Sequence, residues 1–309
     1  MAYVWCLRKA HTTLGIEVIV IKKLYLYIFG SAMIFGSMEV ALKIAGSAFD
    51  SFQITFIRFF VGGIVLIPFA IREFRSMPKG YMTLKLWLYV FMLGALNVCV
   101  SMVFFQIGVE GLNASTAGVI ICSNPIFIML IAHMTTTDEK INRYKALALV
   151  LGAAGLTFMI RPWEMQEGNT PAGMFFLLAA AVTFALYSVL GGKTVARVGV
   201  FTQTSVSFLF GSLVLLCMLP VLGRPIIDGV AENIGILLYI SVVVTGAGFL
   251  LYFLAIKQSN ATTASIVFFL KPVIAPILAV LIIGDVITYN MYIGIALILA
   301  ASYILIFRK

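Results

Sequence analysis

The chain has 309 residues, 62% of them hydrophobic and only 11% charged, whereas a soluble globule carries roughly 25% charged residues. Its formal net charge of +9 would suggest nucleic acid in a soluble domain, but apolar composition spread over the whole length excludes that partner and also excludes a single anchor or signal peptide. Runs such as Ile234 to Ile256 are apolar on every face, which excludes a transmembrane barrel with its alternating strands and leaves an all-α integral membrane protein.

In chain order, residues 1–23 are basic with an apolar run, Ile16 to Ile21, too short to span, and read as a cytoplasmic or interfacial lead-in. Ten apolar spans follow: Leu24 to Ile44, Phe52 to Ile71, Leu86 to Gly108, Ala114 to Met134, Ala146 to Ile160, Ala172 to Gly192, Thr202 to Val221, Ile234 to Ile256, Ala261 to Ile283 and Tyr289 to Phe307. No connection between them is long enough for a soluble catalytic or nucleotide-binding domain. Of the 21 basic residues, sixteen fall at one set of alternate loops and termini and three at the other. Cytoplasmic loops collect Lys and Arg, so both termini are expected in the cytoplasm and the protein in a cell (inner) membrane. The remaining two, Arg58 and Lys271, fall inside spans.

The chain repeats itself. Asn113-Ala114-Ser115-Thr116-Ala117 recurs as Asn260-Ala261-Thr262-Thr263-Ala264, and at the same offset of 147 Pro125 meets Pro272 and Asp138 meets Asp285. Each half, 24–161 and 171–309, holds five spans. An odd number makes the second half enter the bilayer from the opposite side, giving two inverted five-helix repeats of the kind that places a transport site at the midplane.

Phe35-Gly36-Ser37-Met38-Glu39-Val40-Ala41-Leu42-Lys43 at the end of helix 1, Arg58-Phe59 in helix 2, and the repeated small-residue start, central Pro and terminal acid of helices 4 and 9 together resemble EamA-type members of the drug/metabolite transporter superfamily. The resemblance covers nearly the whole chain from Leu24. It implies two inverted halves around a central cavity lined by helices 1, 3, 4, 6, 8 and 9, and transport of small metabolites, in some relatives export of amino acids. Many members carry Glu before the Pro of helices 4 and 9. Here those places hold Asn124-Pro125 and Lys271-Pro272, so a coupling role for carboxylates there is not carried over.

Charge inside a span costs about 2.5–3.5 kcal/mol on insertion scales, so it marks pairing, hydration or function. Glu39, the one acid well inside a span, is a candidate proton-coupling or substrate-amine site, or the acid of a structural ion pair; burial raises a carboxyl pKa toward neutrality. Lys271 is a candidate to bind a substrate carboxylate or to pair with Glu39. Arg58 is expected to be structural, tying helix 2 to backbone carbonyls or to a carboxylate. Cavity candidates from polar residues are Asn97 and Ser101, four apart on one face of helix 3, Ser123 and Asn124, Tyr187 and Ser188, and Thr245 and Tyr252; each could instead bond between helices. Pro125 and Pro272 would kink helices 4 and 9. Ala148-xxx-Gly152 and Ala296-xxx-Ala300 present small-residue faces, read as intramolecular packing. Gly192-Lys193-Thr194 is no phosphate loop, because Tyr187 stands where its first Gly would fall. With only His11 and His133 and no CxxC pair among four cysteines, neither a metal nor a cofactor is expected.

The expectation is therefore a secondary active transporter, most simply an exporter and possibly proton-coupled, working by alternating access on a small-molecule substrate. A passive channel of the same fold is the alternative. An integral-membrane enzyme acting on lipid-linked substrates would need acids or histidines clustered at one face, which the sequence lacks. Oligomeric state stays open.

Overall fold

The computed structural model describes residues 21–38, 41, 45, 48–112, 120–160, 170–271, 273–274 and 289–307. Its helices are α1 (residues 21–36), α2 (Ser51–Arg75), α3 (Leu84–Glu110), α4 (Ile120–Thr135), α5 (Arg143–Ile160), α6 (Pro171–Val198), α7 (Val200–Val221), α8 (Ile234–Gln258), α9 (Ala261–Lys271) and α10 (Tyr289–Phe307). No strand occurs among the described residues. Five of these helices, α2, α3, α6, α7 and α8, are long and apolar enough to cross a membrane. The shorter α4, α9 and the Tyr292–Leu305 part of α10 are apolar as well. The chain is an all-helical, multi-pass membrane protein.

Local chemistry sets where the helices begin and end. Asp50 caps α2 in a reciprocal box with Gln53, accepting from the Phe52 and Gln53 N–H groups. Thr170 caps α6 just before Pro171, which occupies a first-turn position that needs no N–H. Apolarity fails near Gly192, yet α6 runs on to Val198 and carries Lys193 and Arg197 with it. It stops at Gly199, whose φ of 82° leaves the helical region. The sequence boundary at Gly192 is thus corrected by about two turns: a helix ends where its backbone turns away, and loss of hydrophobicity marks only where lipid ends.

Two helices widen locally. In α3 the Met102 N–H reaches Asn97 O, and in α8 the Gly248 N–H reaches Val243 O, each five residues back. These π-type stretches, Leu96–Ser101 and Tyr239–Ala247, are rare in ordinary helices and recur at functional sites.

Polar contacts fix the directions of the central helices. Glu73, near the end of α2, accepts from the Val200 and Thr202 N–H groups at the start of α7 at 3.1 and 2.8 Å. At the other end Arg224, just past α7, pairs with Asp50 at 2.9 Å, and Gln53 donates to Asp228 O at 2.7 Å. So α2 and α7 run antiparallel. The same holds for α1 and α8, since Ser37 meets Tyr239 (2.7 Å) and Ser31 donates to Gly248 O (3.0 Å). Close crossings use glycine: a Cβ on Gly94 of α3 would lie 2.1 Å from Ser207 O of α7, and one on Gly62 of α2 would lie 3.0 Å from Ser241 O of α8. In α5, Gly155 meets Gly294 O of α10 and Gly152 meets the Phe269 ring of α9. The small-residue face of α5 accordingly serves packing within the chain.

Basic residues gather at one end of the bundle. Lys193 Nζ donates to Thr135 O at the end of α4, Glu139 in the α4–α5 connection accepts from Thr262 N–H at the start of α9, and Lys85, Lys193 and Arg197 line one recess. At the opposite end Thr170 donates both N–H and hydroxyl to Gly111 O. Lys193 and Thr194 lie inside α6, which leaves no strand-to-helix loop for a nucleotide phosphate.

Candidate functional site

An interior cavity of about 50 Å³ lies where α1, α3, α4, α6, α8 and α9 converge, with α2 contributing one side chain. Six of these are the helices that the family resemblance implies. Among the described residues, four polar side chains reach the cavity: Arg58 from α2, Ser101 from α3, Asn124 from α4 and Lys271 at the end of α9. The remaining wall is sulfur and aromatic, chiefly Met38, Met102, Phe35, Phe184, Phe249 and Phe268.

Arg58 is only 2% exposed. Its guanidinium donates to the Met38 and Met102 sulfurs at 3.5 and 3.3 Å and lies 5.0 Å from the centre of the Phe59 ring. Thioether sulfur is a weak acceptor, and Nε has no hydrogen-bond partner. The sequence expectation that Arg58 ties α2 to carbonyls or to a carboxylate is corrected here: among the described residues it meets neither. Its place in α2 turns it inward, where among the described residues only the Met38 and Met102 sulfurs accept from it.

Asn124 sits where α4 is interrupted. Pro125 supplies no N–H, the backbone turns at Ser123, and Ile126 N–H reaches only Ser123 O. The break leaves Asn124 buried in the cavity wall with Oδ1 unpartnered. Ser123 itself bonds its hydroxyl back to Ile120 O. Ser101 donates to Ala180 O at 3.2 Å and so joins α3 to α6 beside the cavity. Lys271 is 5% exposed and holds an interaction of its own within the bundle.

Other sequence candidates are not brought to this cavity. Asn97 is fully buried in the widened part of α3, with both amide atoms unpartnered. Tyr187 lies 3.5 Å from Ser207 Oγ and packs edge-on against Phe253. Ser188 donates to Phe184 O and Thr245 to Ile240 O, both within their own helices. Tyr252 is buried among Phe184, Phe253 and Phe268 with its hydroxyl unpartnered. These five belong to the core between helices: each lies three or four residues from a cavity-lining Ser101, Phe184 or Phe249, on about the same helix face but a turn away along the axis, where neighbouring helices close on it. Glu39 and Pro272 lie outside the described residues, directly after Met38 and Lys271. Sequence reasoning missed the sulfur and aromatic wall. In a chain with 25 Phe and 14 Met, nothing in the spacing separates a cavity-lining ring from one that packs.

Charged and amide side chains facing a cavity in the apolar body of a multi-pass helical bundle mark a candidate functional site. The EamA-like transporter family model matches residues 22–161 and again 171–307, and the chain belongs to that family. It is a transporter and not an enzyme. An uncharacterized transporter of Clostridium kluyveri is 34% identical over 92% of this chain and 93% of its own. An S-adenosylmethionine uptake transporter of Rickettsia prowazekii is 26% identical over 88% of each. A solved crystal structure, 18% identical, superposes with a TM-score of 0.76 over 92% of this chain and 96% of that one, which places the fold.

Proposed function

We propose that this protein is a secondary active transporter that moves a small metabolite by alternating access to the interior cavity, most simply outward and coupled to protons through Glu39. Ten membrane helices form two inverted repeats, 24–161 and 171–309, after the lead-in of residues 1–23. The observation that carries this reading is the cavity itself: its polar groups, Arg58, Ser101, Asn124 and Lys271, come from both halves, so a rocking of one half against the other would open it to either face. Supporting the inversion, α2 and α7 would occupy equivalent places and run antiparallel. The widened stretches fall in α3 and α8, the third helix of each half. At about 50 Å³ the cavity holds a few waters, well below the roughly 300 Å³ or more of a ligand pocket, so loading a metabolite requires the helices to part.

The gathering of Lys and Arg at one end supports an orientation with that end, and both termini, in the cytoplasm of the cell (inner) membrane. Import is the second reading, favoured by the Rickettsia prowazekii relative that is named for uptake. The test is reconstitution of the purified chain into liposomes loaded with a broad metabolite extract, with efflux and uptake read by mass spectrometry, with and without a pH gradient. Saturable, selective movement of one compound class is expected, accelerated by the gradient. Glu39→Gln is expected to abolish that acceleration while saturable exchange persists. Gradient-driven flux unchanged in Glu39→Gln would remove Glu39 as the proton site, and failure across the whole extract would remove the transport cycle.

A further inference from the structure

Arg58 presents a physical problem that its surroundings do not solve. A guanidinium offers five donors in a rigid fork and cannot shed its proton at accessible pH, so burial cannot neutralise it as it could a lysine or a carboxyl. A buried charge ordinarily has an ion-pair partner. Two of the five N–H donors find acceptors here, both thioether sulfur, and the one at Nε finds none. Among the described residues, the cavity onto which this fork opens is otherwise lined by phenylalanine rings, two methionines, Ile121, Ala180, Asn124 with its unpartnered Oδ1, Ser101 and Lys271.

Resting on the transport reading above, we propose that the transported molecule is an organic carboxylate with an apolar or aromatic body, and that Arg58 is the residue that binds its carboxylate. A carboxylate matches the guanidinium fork with two parallel, charge-assisted hydrogen bonds, and it would displace the weak contacts to Met38 and Met102. Those two side chains are unbranched and polarizable, and they can shift aside without leaving a fixed void. The rings of Phe35, Phe184, Phe249 and Phe268 form an apolar wall suited to the rest of the molecule, while Asn124 can bond a neutral polar substituent. An amino group on the substrate is not required by anything that faces Arg58. A cation without an acid group is disfavoured, since it would meet a guanidinium that has no counter-charge among the described residues.

The test uses the purified full-length chain and a panel of carboxylates with aromatic, branched and linear apolar bodies, each paired with the amine formed from the corresponding amino acid by loss of CO2. Binding is read as ligand-dependent thermal stabilisation, and transport separately as counterflow in proteoliposomes. One or more carboxylates are expected to stabilise the protein saturably while the matched amine does not. Arg58→Lys should weaken that binding by about tenfold or more while keeping the preference, because a point charge replaces a fork. Arg58→Met, which continues the sulfur lining and needs no counter-ion, should fold and lose the preference. Equal binding of amine and carboxylate, no binding by any carboxylate, or a preference that survives in Arg58→Met would each overturn the assignment. Because binding is read without flux, a carboxylate that binds through Arg58 and is not moved would count against the transport cycle and leave the site standing.

Discussion

At the scale of single residues, a few side chains fix helix ends, and Glu73 is the clearest. Its carboxylate sits at the positive N-terminus of α7 and accepts two backbone N–H groups. The space it uses exists because residue 199 has no side chain: a Cβ on Gly199 would lie 1.9 Å from the Glu73 carboxyl carbon. Gly80 has a similar positive φ, 78°, but nothing within 4 Å. Gly80→Ala should therefore cost only the backbone strain, about 1 kcal/mol. Gly199→Ala should cost that plus loss of the charged cap, about 1–2 kcal/mol more. Thermal unfolding of the two variants in detergent checks this, and equal losses would show that Glu73 contributes nothing at α7. Of the candidate site, Lys271 and Asn124 were legible as single residues, since a charge in a span and an amide before a proline are rare in an apolar chain. The role of Arg58 was not legible. Sequence can place it inside a span but not show that its guanidinium meets the Met38 and Met102 sulfurs and the Phe59 ring.

At the scale of helices, glycine at a crossing is worth more than glycine on a surface. Gly94 and Gly211 let α3 and α7 touch backbone to backbone: a Cβ on Gly94 would lie 2.1 Å from Ser207 O and 3.1 Å from Gly211 N. Neither atom belongs to a side chain that could move aside. Gly94→Ala should push the helices apart and destabilise the bundle by about 1–3 kcal/mol, the usual cost of overpacking. Gly235, in the first turn of α8, has nothing within 4 Å, and Gly235→Ala should be neutral or stabilising by up to about 1 kcal/mol through helix propensity. Size-exclusion profiles and melting temperatures of the pair give the comparison, and a benign Gly94→Ala would mean that α3 and α7 do not pack this closely. Gly94 stands mid-span and Gly235 just after Glu232-Asn233 at the start of its span, so the sequence hints which is exposed but cannot give the distance at the crossing. The approach distance belongs to the partner helix, which lies more than 100 residues away in the chain.

At the scale of the molecule, the contacts between the two ends of α2 and α7 are where a transport cycle would have to yield. Asp50 and Arg224 join one end, with Arg224 half-exposed and its guanidinium also 5.0 Å from the centre of the Phe52 ring. Glu73 joins the other end to α7 through backbone N–H groups. An exposed ion pair contributes little stability, about 0–1 kcal/mol, which suits a latch that opens repeatedly. Cysteines placed at Asp50 and Arg224 in a background without the native cysteines and bridged by a bifunctional maleimide should arrest flux, while each single cysteine treated the same way should not. Flux that continues through the bridged protein would show that the Asp50–Arg224 contact does not part during the cycle.

The sequence alone determined that the chain is a helical membrane protein, where most of its apolar spans lie, and that it repeats itself. Each of these follows from local hydrophobicity and from the spacing of residues along one dimension, and lipid imposes them on every segment independently. The tertiary structure alone decided which polar residues meet. It brought Arg58, Ser101, Asn124 and Lys271 to one cavity, sent Asn97, Tyr187, Ser188, Thr245 and Tyr252 into the core between helices, and surrounded the guanidinium with Met38 and Met102. The depth of each residue along its helix, relative to where neighbouring helices part or touch, makes that choice. In a chain apolar on nearly every face, that depth is set by close packing against distant helices, through crossings such as Gly94 on Gly211, and leaves no periodic signature in the sequence.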